Sequence, residues 1–288
     1  MKRILVVCLC AAGACAGRVG VAPLSPLPFA TDTVRTQRVA EGVTHHFIYA
    51  SAGPWAIHVL DVDLDACNAA VAMKGADRAA GRIKTTGMLA GLSTHATVLA
   101  GINADFFSLA DGTPTGLLVV DGRELTPPSA APVLAFDSSG AAHIDRFSPG
   151  AGALRPFHPR EAVGGRPLLV RDSMVLTSVD SSGGAAFATA RHPRSAAGIA
   201  RNGRRLLLVV VDGRQKPYSD GMSLRELATL MLALGARDAL NLDGGGSTTF
   251  VYADPAERGV LRIANRPSDK EGERPVGDAL AIVRRCGK

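Results

Sequence analysis

Apolar and polar residues alternate along much of the chain beyond its amino-terminal region, as they do in strands that bury one face. Residues 44–49 and 55–64 follow this two-residue period. Residues 96–102 form a continuous apolar run, which predicts a fully buried strand, and short strands are also predicted over 239–243 and 250–252. The pattern therefore predicts a chain built mainly from strands.

One segment has helical spacing instead. Ser223 and Glu226 form a capping box, in which both side chains satisfy backbone N–H groups at the start of a helix. Apolar residues then follow every three or four positions, and Gly235 provides a left-handed end. Residues 87–93 predict a second, shorter helix.

An apolar strand runs into a polar turn sequence three times, at 117–123, 168–175 and 206–214. Glycine and aspartate after a strand are typical of tight turns, because glycine adopts positive φ without steric cost. This recurring strand-turn sequence predicts hairpin turns rather than a repeat architecture.

The chain has 288 residues, of which 47% are hydrophobic, enough to bury a large core. No change in composition divides residues 39–288. We therefore predict one large α+β domain over 39–288, with a mixed, mostly antiparallel β-sheet core and few helices.

The amino terminus has the layout of an export signal. A basic start, an apolar run and small residues predict a signal peptide over 1–16, followed by a Pro-rich leader over 17–38. The residues before Cys15 also resemble a bacterial lipoprotein box, so lipidation of Cys15, which would tether the protein to a membrane, and plain cleavage both remain open. Either process predicts a secreted, periplasmic or cell-envelope protein.

The five cysteines exclude a paired-CxxC zinc module and a disulfide-dense scaffold. In an oxidising compartment Cys67 and Cys286 form either a disulfide or two buried thiols. Loss of Lys2 and Arg3 with the signal would lower the formal charge from +6 to +4. This small, dispersed charge argues against nucleic acid as a partner.

Three polar clusters stand at the ends of apolar strands, where binding residues tend to gather. In the first, Asn103 and Asp105 are two positions apart and point to the same side of a strand end. In the second, Arg194 offers a planar fork of donors that matches phosphate or carboxylate, and Ser195 follows it. Each cluster alone is also consistent with an ordinary turn or a surface ion pair.

The third cluster carries the strongest signal. Three consecutive glycines reduce stability through conformational entropy, so they require a compensating role such as close approach to a ligand. Backbone N–H groups of such a loop can hold an anion, with hydroxyl groups assisting. The cluster consists of Asn241, Asp243, Gly244, Gly245, Gly246, Ser247 and Thr248, with Asp212 as a possible neighbour.

Other catalytic motifs are absent. The sequence contains no GxSxG or HExxH, and its seven histidines show no metal-ligand spacing. His45 and His46 are interpreted as ordinary surface or core residues. No cofactor is predicted, and a requirement for a divalent cation is left open.

Together, these blocks resemble the phosphodiester glycosidase family. The match covers roughly residues 85–285 and preserves the order of five blocks that begin at Asn103, His192, Val211, Gly221 and Asn241. The terminal segments at 265–267 and 273–276 also resemble the family. One departure is Ser195, where the family often has threonine.

The resemblance implies an enzyme that cleaves a sugar C1–O bond to a phosphodiester, acting on envelope or exopolysaccharide-type glycans. On this hypothesis Arg194 binds the phosphate and Asp243 is the base or nucleophile, while Asp105 and Asp212 are rival carboxylates. Asn103, Ser195, Asn241 and the 244–248 loop would hold substrate oxygens. Two other functions stay open: non-catalytic binding of an anionic glycan, and P–O cleavage that releases a sugar 1-phosphate.

Overall fold

The computed structural model describes residues 26–75, 81–146 and 158–286. The predicted signal peptide, Cys15 and the first part of the predicted leader lie outside these ranges. Within them, no helix is long and apolar enough to cross a membrane.

The described residues form strands and three α-helices. The strands are β1 (Thr33–Ala40), β2 (Val43–Ala50), β3 (Trp55–Asp63), β4 (Asn68–Lys74), β5 (Thr97–Asn103), β6 (Leu118–Val120), β7 (Arg123–Thr126), β8 (Pro132–Phe136), β9 (Ala142–Arg146), β10 (Glu161–Gly164), β11 (Leu168–Arg171), β12 (Met174–Val175), β13 (Arg194–Ala200), β14 (Arg205–Val211), β15 (Asp238–Asn241), β16 (Phe250–Asp254), β17 (Val260–Ile263) and β18 (Asp278–Arg284). The helices are α1 (Thr85–Leu92), α2 (Ala185–Thr189) and α3 (Leu224–Ala233).

These strands build three antiparallel sheets. The largest has eight strands in the order β1-β2-β3-β14-β13-β15-β11-β12. Two five-stranded sheets have the orders β7-β6-β10-β8-β9 and β17-β16-β5-β18-β4. The prediction of an α+β fold with mostly antiparallel sheets and few helices is confirmed.

The central strands of the eight-stranded sheet are buried on both faces. Along β14, Leu206 and Leu208 pack into the core shared by the sheets, whereas Leu207 and Val209 pack on the opposite face with α3. Successive side chains of a strand point to opposite faces, so burial of both faces explains the uninterrupted apolar sequence of β14.

The local predictions for the helices hold. Ser223 caps α3, its side chain accepts from the Glu226 N–H, and the Glu226 carboxylate accepts from the Ser223 N–H. Gly235 has φ +90°, the left-handed value expected after a helix. The predicted helix at 87–93 is observed as α1.

Two of the three turn sequences close hairpins. Asp121 and Gly122 join β6 to β7, and Asp172 and Ser173 join β11 to β12; all four residues have positive φ. The third sequence does not close a hairpin, because β14 pairs with β3 and β13 instead. Its aspartate, Asp212, is fully buried.

The sheet begins earlier than predicted. β1 pairs with β2 from Thr33 onward, so residues 33–38, which were assigned to the leader, belong to the eight-stranded sheet. Exposed polar residues along β1 hide its strand pattern, because an edge strand on a sheet margin need not alternate strongly.

A disulfide joins Cys67 to Cys286, whose Cα atoms are 5.2 Å apart. The pairing of Asn68 with Arg284 in neighbouring strands β4 and β18 brings the two cysteines together. The structure therefore contains the disulfide rather than two separate thiols, and it ties residues 219 positions apart.

Candidate functional site

Two of the predicted clusters meet where two sheets approach each other. Asn103 ends β5 in one sheet, and Asp243 follows β15 in the other. The Asp243 N–H donates to Ala104 O at 2.9 Å, and the Asn103 side-chain amide donates to Asp243 O at 2.7 Å. These two bonds hold both strand ends against each other.

Asn103 works within the protein. Its side chain is fully buried, and its Oδ1 accepts from the Ser195 hydroxyl at 2.8 Å and from the Thr249 N–H at 3.1 Å. The residue thus links β5, β13 and the glycine loop. The sequence-based hypothesis had Asn103 and Ser195 hold substrate oxygens. In the structure these side chains instead bind each other and the protein.

Three carboxyl groups converge behind this junction. Asp105 and Asp243 are joined by Asp278, the first residue of β18. The Asp105 N–H donates to Asp278 Oδ1 at 2.8 Å. Among the described residues, no group of His, Cys, Asp or Glu side chains is arranged to hold a metal ion.

Asp278 is a functional candidate that the sequence analysis missed. It belongs to none of the three polar clusters singled out in the sequence, and its only signal is an acidic residue that opens the apolar run 279–283. The residue is fully buried, and its Oδ2 has no hydrogen-bond partner. A buried carboxyl oxygen without a hydrogen-bond partner requires an explanation. The Asp105 and Asp243 charges provide one, because they favour the neutral, protonated form of Asp278.

Burial raises the pKa of all three carboxyl groups, because it disfavours their charged forms. For Asp278, burial is the main cause and the Asp105 and Asp243 charges add to it, raising the pKa well above its usual range. The pKa of Asp105 rises to about 6, since burial outweighs the N–H groups of Gly116 and Phe106. A proton is therefore held within the cluster under conditions where ordinary aspartates are ionised.

Asp105 is enclosed on all sides. Its Oδ1 accepts from the Phe106 N–H at 2.7 Å and its Oδ2 from the Gly116 N–H at 2.6 Å. A methyl group added at Gly164 would lie 2.6 Å from Oδ2. Because Asp105 is only 2% exposed, it supports its neighbours rather than contacting a substrate directly.

Asp243 is the half-buried member of the three. Burial raises its pKa to about 6, against the opposing effects of Ser247, the Gly244 N–H, Arg274 and Arg166. The Gly244 N–H donates to Oδ1 at 2.9 Å. Asp243 is therefore the carboxylate that can meet a ligand, and it is mostly ionised at neutral pH.

The three glycines after Asp243 are required by close packing. A methyl group at Gly244 would lie 2.6 Å from Pro193 O, and one at Gly246 would collide with Arg274 and Asp269. Gly245 has φ +62°, in the left-handed region that favours glycine. The entropic cost of the glycines is thus offset by a tight turn against β13 and an ion pair.

Most N–H groups of this loop are already used. The N–H groups of Gly244, Gly245, Ser247 and Thr248 donate to acceptors within the loop or to Pro193 O. The sequence analysis expected these groups to cradle an anion. In the structure they instead hold the shape of the loop around Asp243.

Arg194 does not face the carboxylates. Its Nε donates to Met222 O at 2.8 Å, and its Nη2 donates to Phe187 O at 2.7 Å and to Ala190 O at 3.2 Å. The side chain is 1% exposed, and burial lowers its pKa to about 10. Arg194 therefore fixes the segment around α2, and the predicted contact with phosphate is not available to it here.

Other guanidinium groups surround Asp243. Arg166 lies 4.5 Å above the Phe106 ring and donates to the Thr115 hydroxyl at 2.9 Å. Arg274 pairs with Asp269 at 2.8 Å. The positive charges of Arg274 and Arg166 lower the pKa of Asp243 and so oppose the effect of burial.

Arg214 borders the same loop from the other side. Its guanidinium would lie 3.2 Å from a methyl group at Gly245, and its Nη2 lies 3.3 Å from His192 Nδ1. Arg214 and Arg274 stand within sequence blocks that were recognised, whereas Arg166 was missed. The sequence signal for Arg166 was its position after Gly164 and Gly165 at a strand end, which resembles the polar clusters that the sequence analysis selected.

Asn241 and Thr248 bind the segments that flank the glycine loop. The Asn241 amide donates to Arg166 O at 2.7 Å and to Leu242 O at 2.8 Å. Both residues are about 1% exposed. Like Ser247, which is fully buried beside Asp243, they position the loop rather than line its surface.

Asp212 lies apart from the three carboxyl groups. It is fully buried and accepts from the Tyr218 hydroxyl at 3.1 Å, from the Asn265 amide at 3.1 Å and from the Arg266 N–H at 2.9 Å. Asn265 also donates to Thr248 O at 3.1 Å. The structure thus connects Asp212 to the back of the glycine loop and does not bring it to Asp243.

A cavity of about 590 Å³ is lined by Phe106 and Arg166, which contact or adjoin the carboxylate cluster, but by none of the three acids. Phe106 and Arg166 form the wall nearest Asp105, while Pro167, Leu168 and Phe187 make much of the rest apolar. This volume is typical of a small-molecule site.

Solved structures with the same fold are known. A hypothetical protein from Synechocystis has a TM-score of 0.67 and 18% identity over 88% of this chain, and the match spans 64% of that protein. The zebrafish N-acetylglucosamine-1-phosphodiester alpha-N-acetylglucosaminidase catalytic domain, auto-inhibited by its pro-peptide, has a TM-score of 0.66 and 18% identity, with coverage of 92% and 85%. A Burkholderia pseudomallei K96243 protein assigned as exported has a TM-score of 0.66 and 19% identity, with coverage of 91% and 98%.

At these identities the three structures establish the fold alone. A search of curated proteins found no match to the sequence. The family model for phosphodiester glycosidases matches residues 96–283, a span that contains Asp105, Asp243 and Asp278. The chain therefore belongs to the phosphodiester glycosidase family, which is a family of hydrolases.

Proposed function

We propose that the protein hydrolyses the bond between C1 of a sugar and an oxygen of a phosphodiester in envelope or exopolysaccharide-type glycans. The observation that carries this proposal is the half-buried Asp243 carboxylate, which accepts from the Gly244 N–H and is flanked by Arg166 and Arg274. A carboxylate among guanidinium groups matches the two charges that such a reaction must stabilise.

The first charge develops on the departing phosphate. Breaking the C1–O bond of a phosphodiester expels a phosphomonoester, whose second pKa is about 6. Such a group leaves without a strong general acid, so fixed positive charge can replace proton donation. Arg166, Arg214 and Arg274 surround the glycine loop and are the groups we assign to this charge, in place of Arg194.

The second charge develops on the sugar. Loss of the phosphate leaves an oxocarbenium-like centre at C1, which a carboxylate stabilises either as a nucleophile or by activating water. Asp243 is the half-buried carboxylate of the cluster and the other two are enclosed, so we assign this role to it. Asp105 and Asp278 act as positioning residues, since neither side chain reaches the surface.

The cavity beside Phe106 and Arg166 has room for one arm of the substrate. Because Arg166 lines this cavity, we assign the cavity to the phosphate side of the proposed reaction. The group attached to the phosphate through the second ester bond would lie there. Its apolar walls and few polar side chains do not offer the many hydrogen bonds that a sugar ring requires. We therefore assign the sugar to the Asp243 side.

The proposed location is outside the cytoplasm. Disulfides persist in oxidising compartments, and the Cys67–Cys286 disulfide supports export of this protein. The predicted signal peptide agrees with this assignment.

The test is hydrolysis of synthetic sugar-1-phosphomethyl diesters of both anomers by the purified protein and its variants. We expect release of free reducing sugar, a loss of about a thousandfold in kcat for Asp243→Asn, and a loss of about a hundredfold for Arg166→Gln. Asp145→Asn and Arg123→Gln, which change exposed side chains on other surfaces, serve as matched controls.

Each competing function has its own result. Release of sugar 1-phosphate would show P–O cleavage, and binding without turnover of any diester would show a glycan-binding protein. Full activity of both the Asp243 and the Arg166 variants would remove the proposed site.

A further inference from the structure

A second cavity, of about 490 Å³, lies away from the carboxylate cluster. It opens where β1 and β2 meet the segment that follows β17. Six side chains define its character: Arg35, Phe47, His58, Tyr218, Tyr252 and Arg266. The proposed hydrolysis uses none of them.

Two guanidinium groups flank this cavity without carboxylate partners. Arg266 lies 3.8 Å above the Tyr218 ring, and Arg35 lies 5.6 Å from the Phe47 ring. Within the part of the chain that the structure describes, neither arginine forms an ion pair, although exposed arginines such as Arg201 and Arg237 do. An aromatic ring covers a guanidinium face and leaves its N–H edges free to bind an oxyanion.

Asp212 holds one side of this cavity in place. It accepts from the Tyr218 hydroxyl and from the Arg266 backbone N–H, so it fixes both the ring and the residue stacked on it. Its own charge is fully buried and already bound by three donors. Asp254, the other nearby acid, lies 3.4 Å from the Gln37 amide and 3.8 Å from Arg262. Both acids are thus engaged elsewhere.

A buried histidine pair forms the inner wall. His45 Nε2 and His58 Nδ1 are 3.1 Å apart, and burial lowers the pKa of His45 to about 3, so this ring is neutral. His58 is 4% exposed, and its Nε2 has no hydrogen-bond partner; the nearest carboxylate oxygen, on Asp212, is 3.8 Å away. The wall therefore contains an unpaired polar group next to the two arginines.

The cavity is separate from the proposed hydrolytic site. The two cavities share no lining residue. The Asn265 amide, which donates to both Asp212 Oδ1 and Thr248 O, stands between Asp212 and the glycine loop. Aromatic walls with a few convergent polar groups are typical of small-molecule sites.

We propose that this cavity binds an anionic sugar unit, with its phosphate or carboxylate group between Arg35 and Arg266 and its ring against the aromatic wall. Two cations suit a single oxyanion, and the apolar rings suit the C–H face of a sugar. The proposal does not depend on cleavage of the C1–O bond, so it can fail or succeed independently of the proposed function.

The test is isothermal titration of the full protein with four probes. Glucose 6-phosphate and glucuronate carry an oxyanion on a sugar, glucose lacks the oxyanion, and inorganic phosphate lacks the sugar. We expect at least one of the two anionic sugars to bind at least tenfold more tightly than glucose and inorganic phosphate. Which of the two binds better identifies the anionic group as phosphate or carboxylate.

Variants locate the binding. Arg35→Gln and Arg266→Gln change exposed side chains, and each is expected to raise the Kd of the better anionic sugar at least tenfold. Arg123→Gln is the matched control, and Arg166→Gln removes a phosphate-binding group of the proposed hydrolytic site; both should leave the Kd unchanged.

The proposal is overturned by any of three results: neither anionic sugar binds better than glucose, inorganic phosphate binds as tightly as the sugars, or the Arg35 and Arg266 variants bind normally. Loss of binding in Arg166→Gln would overturn it as well, because it would place the anionic sugar at the hydrolytic site.

Discussion

Asp243 differs from its two acidic neighbours in its exposure. The oxygens of Asp105 and Asp278 are enclosed, whereas Asp243 is half-buried. Burial raises the pKa of Asp243, against the opposing effects of its hydrogen bonds and of the neighbouring guanidinium groups. At the residue scale, the chemistry of the site therefore depends on the surroundings that set the ionisation of Asp243.

The pKa of Asp243 predicts the acid limb of the pH profile. Burial raises this pKa to about 6, so the ionised form that the reaction requires is lost as pH falls through that value. We expect kcat/KM to decrease about tenfold per pH unit below the limb. The measurement is kcat/KM for a sugar-1-phosphodiester between pH 4 and 8. An activity plateau that extends down to pH 4.5 would contradict the assignment.

Asp278 predicts a pH-dependent effect on stability. The folded protein holds a proton on this buried carboxyl that the unfolded chain releases above about pH 4, so the free energy of unfolding falls as pH rises, by up to about 1.4 kcal/mol per pH unit. Asp278→Asn has no such proton to release. Its free energy of unfolding relative to the native protein should therefore increase with pH above about 4.

Urea unfolding at pH 4.5, 5.5 and 7 measures this difference. Glu124→Gln, at an exposed position that forms no ion pair with the described residues, is the control and should show a difference that does not vary with pH. Equal pH dependence for Asp278→Asn and the control would mean that Asp278 is ionised in the folded protein.

The residue types at the site could be predicted from the sequence, but several roles could not. Asn103, Ser195 and Asn241 were expected to hold the substrate, and each instead donates to or accepts from the protein itself. Arg194 was expected to bind phosphate and binds backbone carbonyl groups. A sequence shows which polar residues follow strands, but not which of their hydrogen-bonding atoms the protein already uses.

At the scale of elements, the glycine loop 244–246 is the segment on which the site depends most. It turns the chain directly after β15, passes Pro193 and Arg214, and leaves Asp243 half-buried. Its packing is tight enough that a single methyl group would change the geometry.

Gly244→Ala tests this dependence. The added methyl group would lie 2.6 Å from Pro193 O, a backbone atom, so the loop or β13 must move. We expect kcat/KM to fall more than tenfold and the free energy of unfolding to fall by about 1–3 kcal/mol. Kinetics and urea unfolding on the same preparation provide both values.

Gly91→Ala is the control for this variant. Gly91 lies in α1, where an added methyl group meets no atom within 4 Å. Because alanine is favoured over glycine in helices, this variant should be as active as the native protein and slightly more stable. Normal kinetics of Gly244→Ala would show that the loop adjusts freely and does not position Asp243.

Elements with local signals were predictable, and those defined by distant partners were not. The capping box and Gly235 determine the ends of α3, and alternation reveals β2 and β3. β1 was missed because its side chains are mostly exposed, so its identity as a strand comes from pairing with β2.

At the scale of the molecule, the site exists because strands distant in sequence become neighbours. β5 lies between β16 and β18, a pairing that aligns Ala279 with Asn103 and brings Asp278 to Asp105. Register between strands is determined by long-range packing, which local patterns do not reveal. For this reason Asp278 could not be placed at the site from the sequence.

The central claim is that the protein breaks the C1–O bond rather than the P–O bond. Hydrolysis in water enriched in ¹⁸O distinguishes the two, because the oxygen of water joins the atom that is attacked. With a sugar-1-phosphomethyl diester, mass spectrometry of the products should show no ¹⁸O in the methyl phosphate. This product decides the result, because the C1 oxygen of a free sugar exchanges with water. Incorporation of ¹⁸O into the phosphate product, whether this is methyl phosphate or sugar 1-phosphate, would contradict the claim.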